Sequence, residues 1–337
     1  MTDLVAALRA PLVFSPRYQV LVWGGRRMEA YRTDLPEGPV GESWDLADQE
    51  RGMSVVSQGP LAGETLRELT LRFGRALVGD GFAGGPFPLL VKLIDAADRL
   101  SVQVHPDDAL AQSLGLGQNG KTECWLMVGE GGELFQGTQP GVDRAAFEAA
   151  LGEGRVEETL NRFETRAGDF FFLEARTVHA LGRGCLLYEV QQTSDITFRV
   201  WDWGRVGLDG QPRPLHVAES LATIDFARTG FGPVRPACEA HPAGGLVRSL
   251  ASCAYFAVEE RLLERSGQVT ASTPTRARVC TIVTCLGGRG QLVTEGGTLA
   301  LGPMQTALVP ALAGGWQAVA ATDDFKVLAA TPKFPPT

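Results

Sequence analysis

Two short runs of strict alternation constrain this chain more than any other feature. In Ser101-Val102-Gln103-Val104-His105-Pro106-Asp107-Asp108 an extended backbone turns Val102 and Val104 to one face and Gln103 and His105 to the other. In Lys121-Thr122-Glu123-Cys124-Trp125 the same spacing sets Lys121 and Glu123 on one side and Thr122 and Cys124 on the reverse. Two strands that each aim a pair of polar groups at a shared β interior need something there to compensate burial. A divalent metal does so, because buried charges persist only when paired or coordinated.

A third run extends the pattern. Gly168-Asp169 forms a turn that launches Phe170-Phe171-Phe172-Leu173, a polar bend follows, and His179-Ala180 opens the next strand. His105, Glu123 and His179 then form a nitrogen, oxygen, nitrogen set, to which Gln103 can add a carbonyl oxygen. Two imidazoles and a carboxylate with open positions suit a catalytic zinc, and iron, manganese or cobalt are also compatible with them. The set uses two of the four His in the chain. Singly, each has a plainer role: a strand His is commonly a hydrogen-bonded core residue, and Glu123 can pair with Lys121. The shared facing of all of them favours the metal.

With these runs in view, the chain resembles the type I phosphomannose isomerases, metal-dependent enzymes of the cupin superfamily, in their short bacterial form. The resemblance is carried by Trp23-Gly24-Gly25, Gly41-Glu42-Ser43-Trp44, the run Phe87 to Asp95, the segments 103–108 and 120–125, Gly168-Asp169 through His179-Ala180, and Glu189-Val190-Gln191-Gln192-Thr193-Ser194-Asp195 through Arg199. Together they span about residues 18 to 205 in the family's order. The resemblance implies metal ligands at Gln103, His105, Glu123 and His179, with Gln103 the position where some short members carry Lys. It also implies a catalytic Arg at Arg199 and active-site polar positions at Lys121 and Asp195. Asp195, Thr197 and Arg199 share a face if their run is a strand.

Aldose-ketose isomerisation suits these residue types. Moving a proton between C1 and C2 through an enediol requires a group that polarises both oxygens and a base beside the carbons. A metal serves as the Lewis acid, and Arg199 or Lys121 offsets enediolate charge. The base is open among Lys121, Asp195 and the groups around the metal. A sugar phosphate needs cations for its phosphoryl group, and Arg199 and Lys92 are the candidates, Arg being suited to bidentate contacts. The expected activity is interconversion of mannose 6-phosphate and fructose 6-phosphate, with one divalent metal, zinc, per chain. The alternatives are another metal-cupin enzyme, such as a dioxygenase or a different sugar isomerase, and a non-catalytic sugar-phosphate-binding cupin.

The remainder of the chain reads as mostly β, with short apolar runs punctuated by 41 Gly and 20 Pro. We expect two cupin-type jelly-roll barrels with a few interspersed helices. Residues 1–240 form a catalytic metal-binding domain with helical insertions at about 142–163 and 214–227, and residues 241–337 a structural roll without a metal site. His216, at the start of the second insertion, belongs to neither strand set and reads as a surface or capping residue. Thr229 to Pro236 reads as a linker. The six Cys make no zinc pattern and read mostly as buried small side chains. A formal charge of -8 argues against a general nucleic-acid surface. No apolar run reaches bilayer length and the first residues lack a secretory pattern, so a cytoplasmic enzyme, monomer or homodimer, is expected.

Overall fold

The computed structural model describes residues 2–241, 244–263 and 278–334. It is mostly β and divides into two compact units, one of Tyr18–Trp44 with Leu90–Val234, the other of Met1–Arg17, Asp45–Leu89 and Arg235–Thr337. No described helix is long and apolar enough to cross a membrane.

The first unit is built on two sheets. One orders six strands as Phe170–Leu173, Glu123–Met127, Leu186–Gln192, Leu89–Asp95, Val40–Leu46 and Arg17–Gly25. The other orders five as Phe198–Trp201, Val102–Val104, His179–Leu181, Gly132–Thr138 and Leu160–Thr165. Trp125, Met127, Phe171, Leu173 and Leu187 of the first sheet share a core with Leu134 and Leu181 of the second, so the sheets face one another. On the reverse of the five-stranded sheet, Val102, Val104, Phe135, Ala180, Phe198 and Val200 pack with Phe147 and Leu221. Those two side chains come from helices Arg144–Gly152 and Val217–Thr223. The alternation read in the sequence is therefore used on both faces: valines under helices, Gln103 toward the opposite sheet. Among the described residues both sheets are open, with free edges rather than closure into a barrel.

Local chemistry sets the helix limits. Asp143 caps its helix by accepting from Ala146 N at 2.8 Å, and Gly154, at φ 71°, lies just past the end of the helix. One 3-10 turn follows at Val156–Thr159, and residues from Leu160 are strand. Leu134 pairs with Phe163 and Phe135 with Arg162, so the last residues of the apolar island at 142–163 belong to a sheet. The second helix begins only at Val217, with His216 at its N-cap position.

In the second unit eight strands run in the order Glu239–Ala240, Leu246–Ser252, Phe256–Leu263, Phe325–Pro332, Thr281–Gly287, Thr306–Val309, Leu12–Ser15, Val55–Val56, beside a three-stranded sheet of Gly297–Leu301, Gly290–Thr294 and Gln317–Ala320. Its core joins Val283, Leu292, Trp316, Ala318, Phe325 and Val327. All six Cys are free, and Cys124, Cys185, Cys280 and Cys285 are buried.

Candidate metal centre

Three strands deliver the cluster. Gln103 lies on Val102–Val104, His105 just beyond its end, Glu123 opens Glu123–Met127 and His179 opens His179–Leu181. The register sets His179 opposite Gln103 and Gln136, and Arg199 opposite Gln103. Residues directly opposite share a face, so these side chains stand together between the sheets. Ligand atoms of His105, Glu123 and His179 all lie within 4.8 Å of one another, and all three residues are buried. His179 Nε2 is 3.3 Å from Glu123 Oε1, and His105 Nε2 is 3.7 Å from Glu123 Oε2.

Backbone partners orient both rings. His105 Nδ1 meets the Ile196 carbonyl at 2.7 Å, and His179 Nδ1 meets the Thr177 carbonyl at 2.8 Å. A carbonyl only accepts, so each Nδ1 carries the proton and each neutral ring points an Nε2 lone pair at Glu123. Burial, reinforced by Lys121 and His179, holds His105 well below the ordinary imidazole range. Burial likewise lowers His179 to about 4, against the pull of its Thr177 bond. Both rings are thus neutral near pH 7, the form that coordinates metal.

Glu123 completes the acceptor set. Its two oxygens are buried and neither meets hydrogen-bond geometry with a donor, although Lys121 Nζ stands 2.8 Å from Oε2. Burial outweighs the attraction of Lys121 and raises this carboxyl to about 7. Two lone pairs and a buried carboxylate converging on one point fit a cation. Gln103 Nε2 lies 3.3 Å from His179 Nε2, and the same amide turned over presents its Oε1 there as a further donor. Lys121 Nζ is also 3.3 Å from His105 Nε2, which places an ammonium at the edge of the cluster.

The other sequence candidates lie in different surroundings. Lys92 is buried, with Nζ 2.9 Å from Glu189 Oε2 and 3.7 Å from Glu42 Oε2 and 5.1 Å from the Trp44 ring centroid. Burial opposes its charge, but Glu189 and Glu42 more than offset this and raise its pKa. Its charge is therefore engaged inside the protein. Trp125 Nε1 donates to Glu189 Oε1 at 2.9 Å, and its ring meets His179 edge-on at 5.3 Å; Trp44 Nε1 donates to Glu42 Oε2 at 2.5 Å. This chain of Trp44, Glu42, Lys92, Glu189 and Trp125 backs the cluster, and of its members only Lys92 was among the residues expected at the site. Alternation in Glu42-Ser43-Trp44 was the available signal. Arg199 lies on the metal-facing side of Phe198–Trp201, whereas Asp195 and Thr197 precede that strand, and Asp195 is exposed with its amide donating to Gln118 Oε1 at 2.9 Å. His216 bonds the backbone of Arg199, with Nδ1 accepting from Arg199 N at 3.2 Å and its own amide donating to Arg199 O at 2.7 Å.

Comparison with known proteins agrees with this geometry. The family model for the catalytic domain of type I phosphomannose isomerase matches residues 12–122. A mannose-6-phosphate isomerase of Bacillus subtilis is 33% identical over 287 residues, 84% of this chain and 88% of that protein. One from Streptococcus mutans is 36% identical over 221 residues, 65% of this chain and 69% of its own length. The crystal structure of a Bacillus subtilis mannose 6-phosphate isomerase superposes with a TM-score of 0.85 at 28% identity, over 95% of this chain and 99% of that one. The chain belongs to the type I phosphomannose isomerase family.

Proposed function

We propose that this protein is a metal-dependent isomerase interconverting mannose 6-phosphate and fructose 6-phosphate, with one zinc ion per chain. The observation that carries the reading is the buried His105, Glu123 and His179 cluster, with two neutral imidazoles turned on the Glu123 carboxylate. Held by these three residues and Gln103, a divalent metal supplies Lewis acidity toward the sugar oxygens.

The chain's own residues account for the rest. A proton leaves C2 of the open-chain aldose and returns at C1; the C2 hydroxyl becomes the ketone and the C1 carbonyl becomes a hydroxyl, by way of an enediol. Lys121, with Nζ 2.8 Å from Glu123 and 3.3 Å from His105, is assigned to offset charge on the oxygens, and the base is drawn from Lys121 as its neutral amine, Asp195 and the Glu and His groups around the metal. Arg199, across the strand pair from Gln103, balances the enediolate from the other side. Asp195 is assigned to the rim of the site, where it is the second candidate for the base. Arg199 and Lys92 are assigned to the substrate's anionic end, Lys92 being held by Glu189.

Two cupin-type jelly rolls are read in the chain, divided along the sequence at about residue 240. Catalysis belongs to residues 1–240, and residues 241–337 serve as a structural roll; among the described residues the His/Glu/His set is the one cluster with ligand spacing. The enzyme acts in the cytoplasm, as a monomer or homodimer, on a small-molecule substrate. A coupled assay following fructose 6-phosphate formation from mannose 6-phosphate, with metal analysis of the same sample, tests this reading. Turnover should vanish with a chelator and return with added zinc or cobalt. Full activity in protein shown to be metal-free refutes it.

A further inference from the structure

One face of the large sheet in the second unit carries a buried cation. In the register Glu239 stands opposite Val247, Val247 opposite Arg261, Arg261 opposite Val327 and Val327 opposite Cys285. Residues directly opposite share a face, and Val327 and Cys285 pack in one core with Trp316 and Ala318, so Arg261 is turned to the same interior. Arg261 is 1% exposed and Trp316 3%. A charged side chain in such a place needs partners that leave none of its donors stranded.

The partners on hand fall short of that. Arg261 Nε donates to Glu259 Oε1 at 2.7 Å, and Nη2 donates to the same oxygen. The guanidinium carbon lies 4.8 Å from the Trp316 ring centroid, a cation–π contact that offsets part of the burial cost. Arg261 Nη1 and Trp316 Nε1 are both buried without a hydrogen-bond partner. Both are donors that cannot accept, so neither can satisfy the other. An unmade hydrogen bond of this kind costs about 1–3 kcal/mol, and more for a charged group. Arg261→Met with Trp316→Phe would fill the same space without that cost, so packing alone does not account for the pair.

What the two donors lack is an acceptor. An oxyanion brings two or more acceptor oxygens in one group, and charge strengthens its bond to a guanidinium. The sheet leaves it a way in: Glu259, two residues before Arg261 on this face, keeps 31% of its side chain exposed, and Ser249, opposite Glu259, is exposed. The surroundings also select its charge. Glu259 and the exposed Glu239 are acidic, while burial and then Arg261 hold His241 below the ordinary imidazole range against the pull of Glu259, so that His241 adds no positive charge near pH 7. A single negative charge is favoured there over a phosphate dianion. We propose that Arg261 and Trp316 form a binding site in the second unit for the carboxylate of a small acid. The proposal does not rest on the isomerase reading, and it gives this roll a ligand-binding part besides its structural one.

The test uses full-length, metal-loaded protein with 15N-labelled indoles. Each of the six Trp gives one Nε1–H signal in the NMR spectrum, and Trp316→Phe identifies the one that belongs to Trp316. Titration with sodium acetate at constant ionic strength should move that signal saturably, because a new acceptor on Nε1–H changes its shift. In Arg261→Met the apparent Kd for acetate should rise at least about tenfold, the worth of one charge-assisted hydrogen bond. A signal indifferent to acetate, as a bound water alone would leave it, overturns the proposal, and so does equal affinity in the two proteins. Inorganic phosphate at pH 8, where it is a dianion, should act on this signal more weakly than acetate; tighter binding of phosphate would overturn the assignment to a carboxylate. If Arg261→Met does not fold, Arg261→Lys keeps the charge and loses the planar fork; it should still weaken acetate binding several-fold, and unchanged affinity there refutes the site equally. Turnover is read in no arm, so failure of this site and failure of the isomerase reading are distinguishable.

Discussion

Replacing Lys92 by Met should destabilise the protein far more than loss of an exposed charge. Lys92 is 6% exposed, with Nζ 2.9 Å from Glu189 and 3.7 Å from Glu42. Burial alone would raise the Glu189 carboxyl, yet Lys92 and then Lys121 overcome it and lower the group from 4.5 to about 2. A carboxyl depressed this far contributes roughly 3 kcal/mol of stability at neutral pH. Because the folded pKa lies below the unfolded one, that contribution is fully present above 4.5 and is lost as pH falls through 2. In Lys92→Met, Glu189 stays buried beside Glu42 and Glu123 without its nearest cation, so the loss should reach about 3–5 kcal/mol, as for other broken buried pairs. That corresponds to a fall of about 1–2 M in the urea midpoint. The assay is urea unfolding of the metal-loaded protein at pH 7, followed by tryptophan fluorescence. Adding Glu189→Met should restore at least about half of the loss, since an apolar pair of similar volume leaves no charge stranded. A single variant within about 1 kcal/mol of wild type would refute the account of Lys92 as an engaged internal cation.

Metal uptake by the metal-free protein should release about one proton at pH 6 and almost none at pH 8, because Glu123, raised to about 7, is protonated below that pH and must ionise to bind; calorimetry in buffers of different ionisation heat measures this, and a buffer-independent heat at pH 6 would contradict it. His179→Ala should lower metal occupancy, whereas Arg199→Ala should keep the metal and lose at least about 10²-fold in turnover; near-normal turnover of the metal-loaded Arg199 variant would remove Arg199 from the reaction. Gln291→Ala and Arg289→Ala, both at exposed positions of the second unit, should change kcat/KM by less than about twofold, and a larger effect would tie that unit to the reaction.

What the sequence could reveal about this site follows from where each interaction runs. Alternation within a strand fixes facing, so Gln103 beside Val102 and Val104 was legible, as was the convergence of His105, Glu123 and His179 once their strands were placed. Facing says nothing about what lies across the interior. Lys92 and Glu189 are far apart in the chain, and their pairing depends on the strands Leu89–Asp95 and Leu186–Gln192 being neighbours in one sheet. An isolated strand Lys looks suited to phosphate, and its spacing alone does not reveal the two carboxylates beside it. The segment of Asp195 shows the complementary limit. Its spacing matches a strand, but the chain is irregular until Phe198, because the backbone between Gln192 and Phe198 is held by side chains: Gln191 Nε2 donates to Gln192 O and Ser194 O, both at 2.9 Å, and Ser194 Oγ to Asn119 O at 2.8 Å. Periodicity can place a residue on a strand face only where ladder bonds, rather than amide and hydroxyl side chains, satisfy the backbone. The same holds at Asp202, where a Trp in left-handed conformation closes a turn that composition would assign to Gly or Asn. Departures from the local rules thus collect beside the metal cluster, where side-chain hydrogen bonds rather than ladder bonds hold the backbone.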